Sequence, residues 1–295
     1  MRVEHAAWFL VVMESGSLAA AARRLGRSRT TLSTALAAFE DELGVTLFER
    51  RGSTLTPLPI AAAIEADCRR LVRLEGQIQA RCEQYRSGQE SRLRIARDDA
   101  LPETYWHQIM ADLSSRFPLT GVSVYLAPPQ ELAEFVREQV VDMAFGLQPM
   151  ARSDSRLIVA NLATVPVLPV AAPTHPLAAL NSVSEDDLAQ YPRITLAHVK
   201  NNRLIPDQVS GPAYLALTQF ELIRDAVIGG GGWGQLPEPL IRDALQRRQL
   251  QVLQPPAAQE IQAYQVVTPA GEPLGPVAAW LSERVRQRLG GLGSL

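Results

Sequence analysis

Between residues 23 and 30 the chain carries four arginines, Arg23, Arg24, Arg27 and Arg29, and no acid. A run of short hydroxyls follows directly: Thr30, Thr31, Ser33 and Thr34. Guanidinium groups and hydroxyls of this kind reach phosphate oxygens and base edges in a DNA major groove. On a helical projection residues 28–39, SRTTLSTALAAF, sort into two faces. Leu32, Ala35, Leu36, Phe39 and, one turn on, Leu43 form a core stripe, while Arg29, Thr30, Ser33, Thr34 and Ala37 share the other side. A merely solvated face is usually filled with long charged helix formers such as Glu and Lys. The pattern therefore predicts a recognition helix capped by Ser28, with Arg29 placed to pair with a guanine and with Thr30, Thr31, Ser33 and Thr34 at bases or phosphates. Arg50, Arg51 and Ser53 follow as candidates for the DNA backbone or minor groove. The rival reading is an ordinary small helical domain with a solvated arginine cluster.

Other candidate chemistry falls away on context. Residues 229–234 satisfy G-x-G-x-x-G, the dinucleotide fingerprint. That motif should follow a strand and open a helix, whereas the segment before it is helix-like, the one after it strand-like, and the ribose-binding acid about twenty residues on is missing. The four histidines, His5, His107, His175 and His198, are scattered without metal-ligand spacing. No G-x-S-x-G elbow occurs. Cys68 and Cys82, the two cysteines, show no zinc spacing and read as reduced thiols, with an intermolecular disulfide as the rival. No enzyme, metal or cofactor is expected.

Composition leaves the partner question local. The 295 residues are 46% hydrophobic and 20% charged, enough for substantial cores and more than one domain, and the net charge of −2 gives no bulk attraction to nucleic acid. No secretory leader and no stretch long enough to span a membrane is read, so the expected compartment is the cytoplasm.

These residues need elements to hold them. Residues 6–13 read as a first helix, Ser17 caps a second that Gly26 stops, and Ser28 caps the third, the spacing of a helix-turn-helix. Two short β segments around Gly52 make a wing. Thr56 then acts as N-cap and Pro57 as first residue of a long helix, with Pro59 still in its first turn. In it Ile64, Leu71, Ile78 and Tyr85 repeat at heptad spacing with Ile60 and Leu74 between, an imperfect coiled-coil seam interrupted by Asp67 and Arg81. At about 1.5 Å per residue it reaches roughly 45 Å. After a break at residues 87–91, strands at residues 93–96, 122–126 and 143–146 alternate with helices at residues 102–117 and 131–139. The alternation continues through residues 164–170, 183–190, 193–197, 220–228, 233–236, 264–268 and 277–289, and implies a parallel sheet covered on both faces, with material for two α/β lobes.

The first fifth of the chain resembles the N-terminal signature of LysR-type transcriptional regulators. The match is carried by Glu14-Ser15-Gly16-Ser17, Ala21-Ala22-x-x-Leu25, Ser28, Leu32-Ser33, Phe39-Glu40-x-Glu42-Leu43-Gly44-Val45-x-Leu47-Phe48-Glu49-Arg50 and Leu55-Thr56. Thr30 stands where the family often has proline, the wing is shorter, and Pro57-Leu58-Pro59 replaces the usual acidic-Ala-Gly. Shorter matches follow the family's effector-binding domain, among them Val141-Asp142-x-Ala144-Phe145-Gly146, His175-Pro176-Leu177 and Gly230-x-Gly232-x-x-x-Leu236-Pro237. The resemblance implies an α+β and α/β multidomain protein. Its parts are a winged helix-turn-helix over residues 1–58, a dimerising linker helix over 59–88 and, over 89–295, a two-lobed domain similar to periplasmic solute-binding proteins. Lobe I takes residues 89–164 and 267–295, lobe II residues 165–266, with crossings near Val165 and Val266.

In an open α/β sheet ligands sit outside the carboxyl ends of strands. That places Asp98, Asp99 and Ala100, then Gln130, then Gly146 and Gln148 at the cleft, with Asn202 and Trp233 completing it. In the family the first loop often presents Ser or Thr to an effector carboxylate. With two aspartates there instead, the effector is expected to be neutral, cationic or a hydrogen-bond donor; the rival is that Asp98 merely caps the following helix. The expected function is a sequence-specific regulator binding an inverted repeat in DNA, modulated by a small molecule, dimeric or tetrameric, with RNA polymerase as a further partner. The alternative is a solute sensor whose N-terminal domain contacts protein.

Overall fold

The computed structural model describes residues 1–51, 54–148, 154–209, 213–254, 260–271 and 273–290, the side chain of Arg51 excepted. The chain divides into two compact units, Met1–Ser87 and Gly88–Leu295. In the first, helices α1 (Val3–Ser15), α2 (Leu18–Leu25) and α3 (Arg29–Leu43) precede the antiparallel ribbon β1 (Phe48–Arg51) and β2 (Thr54–Pro57) and the long helix α4 (Pro59–Arg86). The hydroxyls of Ser17 and Ser28 accept from the N–H groups of Ala20 (3.2 Å) and Thr31 (3.0 Å), meeting donors that a helix start leaves without partners. Gly26, at φ +62°, closes α2 with its N–H on the Arg23 carbonyl while Arg27 N–H returns to Ala22, so α3 can start two residues later. The rings of Phe39 and Phe48 lie 5.7 and 5.8 Å from that of Phe9 in the core. Glu40 then accepts from the N–H groups of Leu47 (2.6 Å) and Phe48 (3.2 Å) and ties α3 to the start of the ribbon.

Two expectations change here. Thr56 and Pro57 belong to β2, where Pro57 stands opposite Phe48, and α4 starts at Pro59 with Leu58 as an extended N-cap that makes no side-chain bond. A proline at the end of a ribbon strand costs no ladder bond, so the earlier proline extends the wing and the later one opens the helix. The heptad seam of α4 also splits. Ile64 and Leu71 pack partly against the core that holds Ala61 and Cys68, while Leu74 (50% exposed), Ile78 (54%) and Tyr85 (87%) face outward, as does Ile60. Cys68 is buried and Cys82 exposed, although heptad spacing puts them on one face.

The second unit runs β3 (Arg92–Arg97), α5 (Glu103–Arg116), β4 (Gly121–Leu126), α6 (Pro129–Arg137), β5 (Met143–Leu147), β6 (Leu157–Ala171), α7 (Glu185–Ala189) and β7 (Arg193–Lys200). It continues through β8 (Arg203–Pro206), β9 (Tyr214–Leu217), α8 (Phe220–Ile228), β10 (Trp233–Pro237), α9 (Glu238–Gln246), β11 (Gln251–Val252), β12 (Glu260–Pro269) and α10 (Pro276–Gly290). Among the described residues the strands join in the order β4-β3-β5-β12-β6-β10-β7-β8, with β11 on β6 and β9 on β7. The sheet is mixed, not parallel throughout. Pairs β3 with β4 and β5, and β7 with β9 and β10, are parallel, whereas β12 runs antiparallel to both β5 and β6. The long strands β6 and β12 pair from Leu157 opposite Pro269 to Val167 opposite Glu260. One carries the chain out and the other brings it back, which forces their opposite directions.

An extended apolar core runs through this unit beside two smaller clusters, with Trp106 edge-on to Phe145 at 5.5 Å in it and Leu236, Ile223 and Val227 also part of it. The glycine-rich run follows α8 and precedes β10, the helix-then-strand order that the sequence indicates. Gly232, at φ +146°, passes so close to Pro192 that a Cβ would stand 2.2 Å from its carbonyl oxygen. The glycines thus serve packing of β10 against the start of β7.

Candidate DNA-binding face and effector cleft

On α3 the core stripe turns inward except at its end: Leu32, Ala35, Leu36 and Phe39 are buried but Leu43, in the last turn, is exposed, while Arg29, Thr30, Thr31 and Thr34 are exposed and Ser33 partly so. Arg24 is committed to Glu14 at 2.7 Å, and Glu14 also holds Arg69 of α4 at 3.1 Å. No carboxylate of the described residues lies within ion-pair distance of Arg23, Arg27 or Arg29. Ser28 spends its hydroxyl on the cap and on the Thr31 hydroxyl at 2.7 Å. From the ribbon, Arg50 reaches back and donates through Nη2 to Ser33 Oγ at 3.3 Å, bringing two separately predicted residues together. Arg51 is in β1 opposite Thr54, and Ser53 lies outside the described residues. Arg27, Arg29 and Arg50 thus offer guanidinium donors beside hydroxyls with no carboxylate of the described residues in ion-pair contact, suited to phosphate and base edges.

In the second unit the two aspartates turn inward, contrary to the cleft expectation. Asp98 is fully buried, accepting from Leu147 N–H (2.7 Å) and Ala100 N–H (3.2 Å). Gly146 makes room for it, since a Cβ there would stand 2.8 Å from its Oδ2. Nor does Asp98 cap α5, whose N-cap Pro102 makes no side-chain bond. Burial pushes its carboxyl up to about 7, against the pull of the two N–H groups. Asp99 accepts from Phe220 (3.0 Å) and Glu221 (2.8 Å) N–H and so caps α8; burial raises its pKa too. Ala100 is fully buried, Asn202 sits exposed in the β7–β8 turn at φ +59°, and Trp233 is buried with its indole N–H on the Leu188 carbonyl (3.0 Å).

A cavity of about 330 Å³ lies beside these residues. Of the predicted set Gln130 and Gln148 line it, and the rest do not. Its chemistry comes from Arg193, Gln208 and Gln235, with Asp207 and Glu260 exposed where it opens. Arg193 donates to Gln235 Oε1 at 2.7 Å and to Gln208, and its guanidinium lies over the Trp233 ring at 4.9 Å. Trp233 therefore supports the cavity from behind. Desolvation lowers the Arg193 pKa, with Asp207 and Glu260 opposing. Among the described residues no group of His, Cys, Asp and Glu is placed to hold a metal ion.

Residues 86–290 match the family described as the LysR substrate binding domain, and residues 3–58 match the bacterial regulatory helix-turn-helix proteins of the lysR family. The chain belongs to the LysR family. This LysR-type protein is a DNA-binding transcriptional regulator with an effector-binding domain. It is 27% identical over 235 residues to the HTH-type transcriptional regulator AceR of Acinetobacter baumannii, covering 80% of this chain and 78% of that one. It is 28% identical over 259 residues to the multiple virulence factor regulator MvfR of Pseudomonas aeruginosa, covering 85% and 75%. In fold it is similar to CbnR, a LysR family regulator (TM-score 0.57, 17% identity, 97% and 100% covered), and to an OxyR C206 mutant of Corynebacterium glutamicum (TM-score 0.58, 15%, 98% and 93%).

In this LysR-type regulator the rule of strand ends missed Arg193, Gln235 and Gln262 because these lining residues lie within strands β7, β10 and β12 and not just past their ends. A usable signal was present. Gln235 is the one polar side chain of β10, WGQLP, where an amide needs a stated reason; Arg193 opens β7 and Gln262 shares β12 with Glu260, Gln265 and Thr268, so neither stands out in the sequence.

Proposed function

We propose that this LysR-type regulator binds an inverted repeat in DNA as a dimer and responds to a small molecule held between two lobes, residues 89–164 with 267–295 and residues 165–266. The face of α3 carries the reading: Arg27 and Arg29 lack acid partners, hydroxyls surround them, and Arg50 joins from the ribbon. Ser28 and Thr31 set the start of the helix, Arg29, Thr30, Ser33 and Thr34 meet the groove, and Arg50, Arg51 and Ser53 meet the backbone. The family match of residues 3–58 favours DNA over a protein partner. Two copies joined along the outward half of the α4 seam present two recognition helices about one DNA turn apart. Pairs of dimers make a tetramer that bends its site, and RNA polymerase reads the result. The protein works in the cytoplasm, as a regulator and not a catalyst, as its relatives are regulators. Among the described residues no helix is long and apolar enough to cross a membrane.

A gel shift of the full chain on its own upstream DNA tests this. Specific retardation is expected, relaxed at one base position by Arg29→Ala; equal affinity for unrelated duplexes would overturn it.

A further inference from the structure

Arg193 is a half-buried cation with no carboxylate in direct contact, Asp207 and Glu260 acting on it only from a distance. Its Nη2 donates to two neutral amide oxygens, its Nε is buried with no partner, and no carboxylate of the described residues lies within ion-pair distance. Taking such a charge from water is costly unless it is paired, and the Trp233 ring offsets only part of that cost. An anion in the cavity would complete the set. The N-terminus of α8, which would otherwise also draw a carboxylate, is already filled by Asp99. In the same lining Gln130 Oε1 is buried and equally unpartnered, an acceptor that calls for a donor. At the mouth, Asp207 and Glu260 favour positive charge and repel a plain anion. The volume of about 330 Å³ stands at the small end of the range for ligand sites, about 300–1,000 Å³.

Resting on the reading of this cavity as the effector site, we propose that it takes a small zwitterion of the amino-acid type. Its carboxylate is anchored on Arg193, and its ammonium group faces Gln130 Oε1 and the acidic rim.

Calorimetric titration of the full chain with each proteinogenic amino acid, its decarboxylated amine and its deaminated carboxylic acid tests the assignment. At least one amino acid is expected to bind, with the decarboxylated amine weaker by roughly 30-fold or more, the loss typical when one side of a buried charge pair is removed, and the deaminated acid weaker by roughly 5-fold, since its partners at the rim are exposed. Arg193→Gln should abolish that binding. Asp207→Asn, an exposed change that spares folding, should weaken the amino acid and leave or improve the deaminated acid. The zwitterion assignment fails if no amino acid binds, if a truncated form binds as well as its parent, or if Asp207→Asn affects both alike. Upstream DNA is shifted by the same preparations in parallel. A lone amine or acid that binds and alters the DNA shift would sink the zwitterion while leaving the regulator reading intact; loss of specific DNA binding by the wild type would sink that reading itself.

Discussion

Arg29 sits in the first turn of α3, exposed and without an acid partner. Losing a bidentate guanine contact costs about 1–3 kcal/mol, so Arg29→Ala should relax one base position in a footprinting competition. Arg50 behaves differently because it reaches from the ribbon to Ser33. Arg50→Ala should weaken binding to all sequences about equally and reduce the salt slope by about one, read from affinities at several salt concentrations. Asp98 gives a pH prediction. Its pKa rises from 3.8 to about 7 on folding, chiefly through burial, so its contribution is fully present below pH 4 and is lost as pH rises toward 7. The melting temperature of wild type minus that of Asp98→Asn should therefore fall across pH 4 to 7; a flat difference would show that the carboxyl is not perturbed. The sequence held these aspartates but not their direction. A pair of acids after a strand reads as a ligand site, whereas here backbone N–H groups distant in the sequence, from Leu147 and from α8, consume them.

At the scale of elements, the caps and stops were legible because each depends on two or three neighbouring residues: Ser17, Gly26 and Ser28 do what their types imply. The start of α4 was misplaced by two residues because Pro57 and Pro59 both suit a first helical position, and only pairing with Phe48 separates them. The split of the seam was hidden for the same reason. Heptad spacing says that Ile64 and Ile78 share a face; it does not say that Ile64 is covered within the same chain. The outward half makes a prediction of its own. Ile78→Asp places a charge on an exposed apolar seam and should shift sedimentation from dimer or tetramer toward monomer, with melting of the single chain little changed. Gly232→Ala acts inside the sensor unit instead. With its Cβ against Pro192 and a φ open mainly to glycine, it should cost roughly 1–3 kcal/mol or more, measured by urea unfolding.

For the whole molecule, alternation of strands and helices gave the α/β class, while the mixed sheet follows from two long antiparallel strands that no local pattern marks as crossings. The cavity was legible only through its amides, and the charge it presents reverses the expectation drawn from Asp98 and Asp99: a cation, Arg193, stands inside and the acids stand at the rim. Function at this scale requires the donor face of α3 to read sequence. Selection of duplexes from a random pool by the full chain measures that directly. The account predicts enrichment of an inverted repeat with half-sites about one turn apart, and a changed preference at one base of each half-site for Arg29→Ala. A pool that stays random, or a repeat identical for wild type and Arg29→Ala, would contradict it.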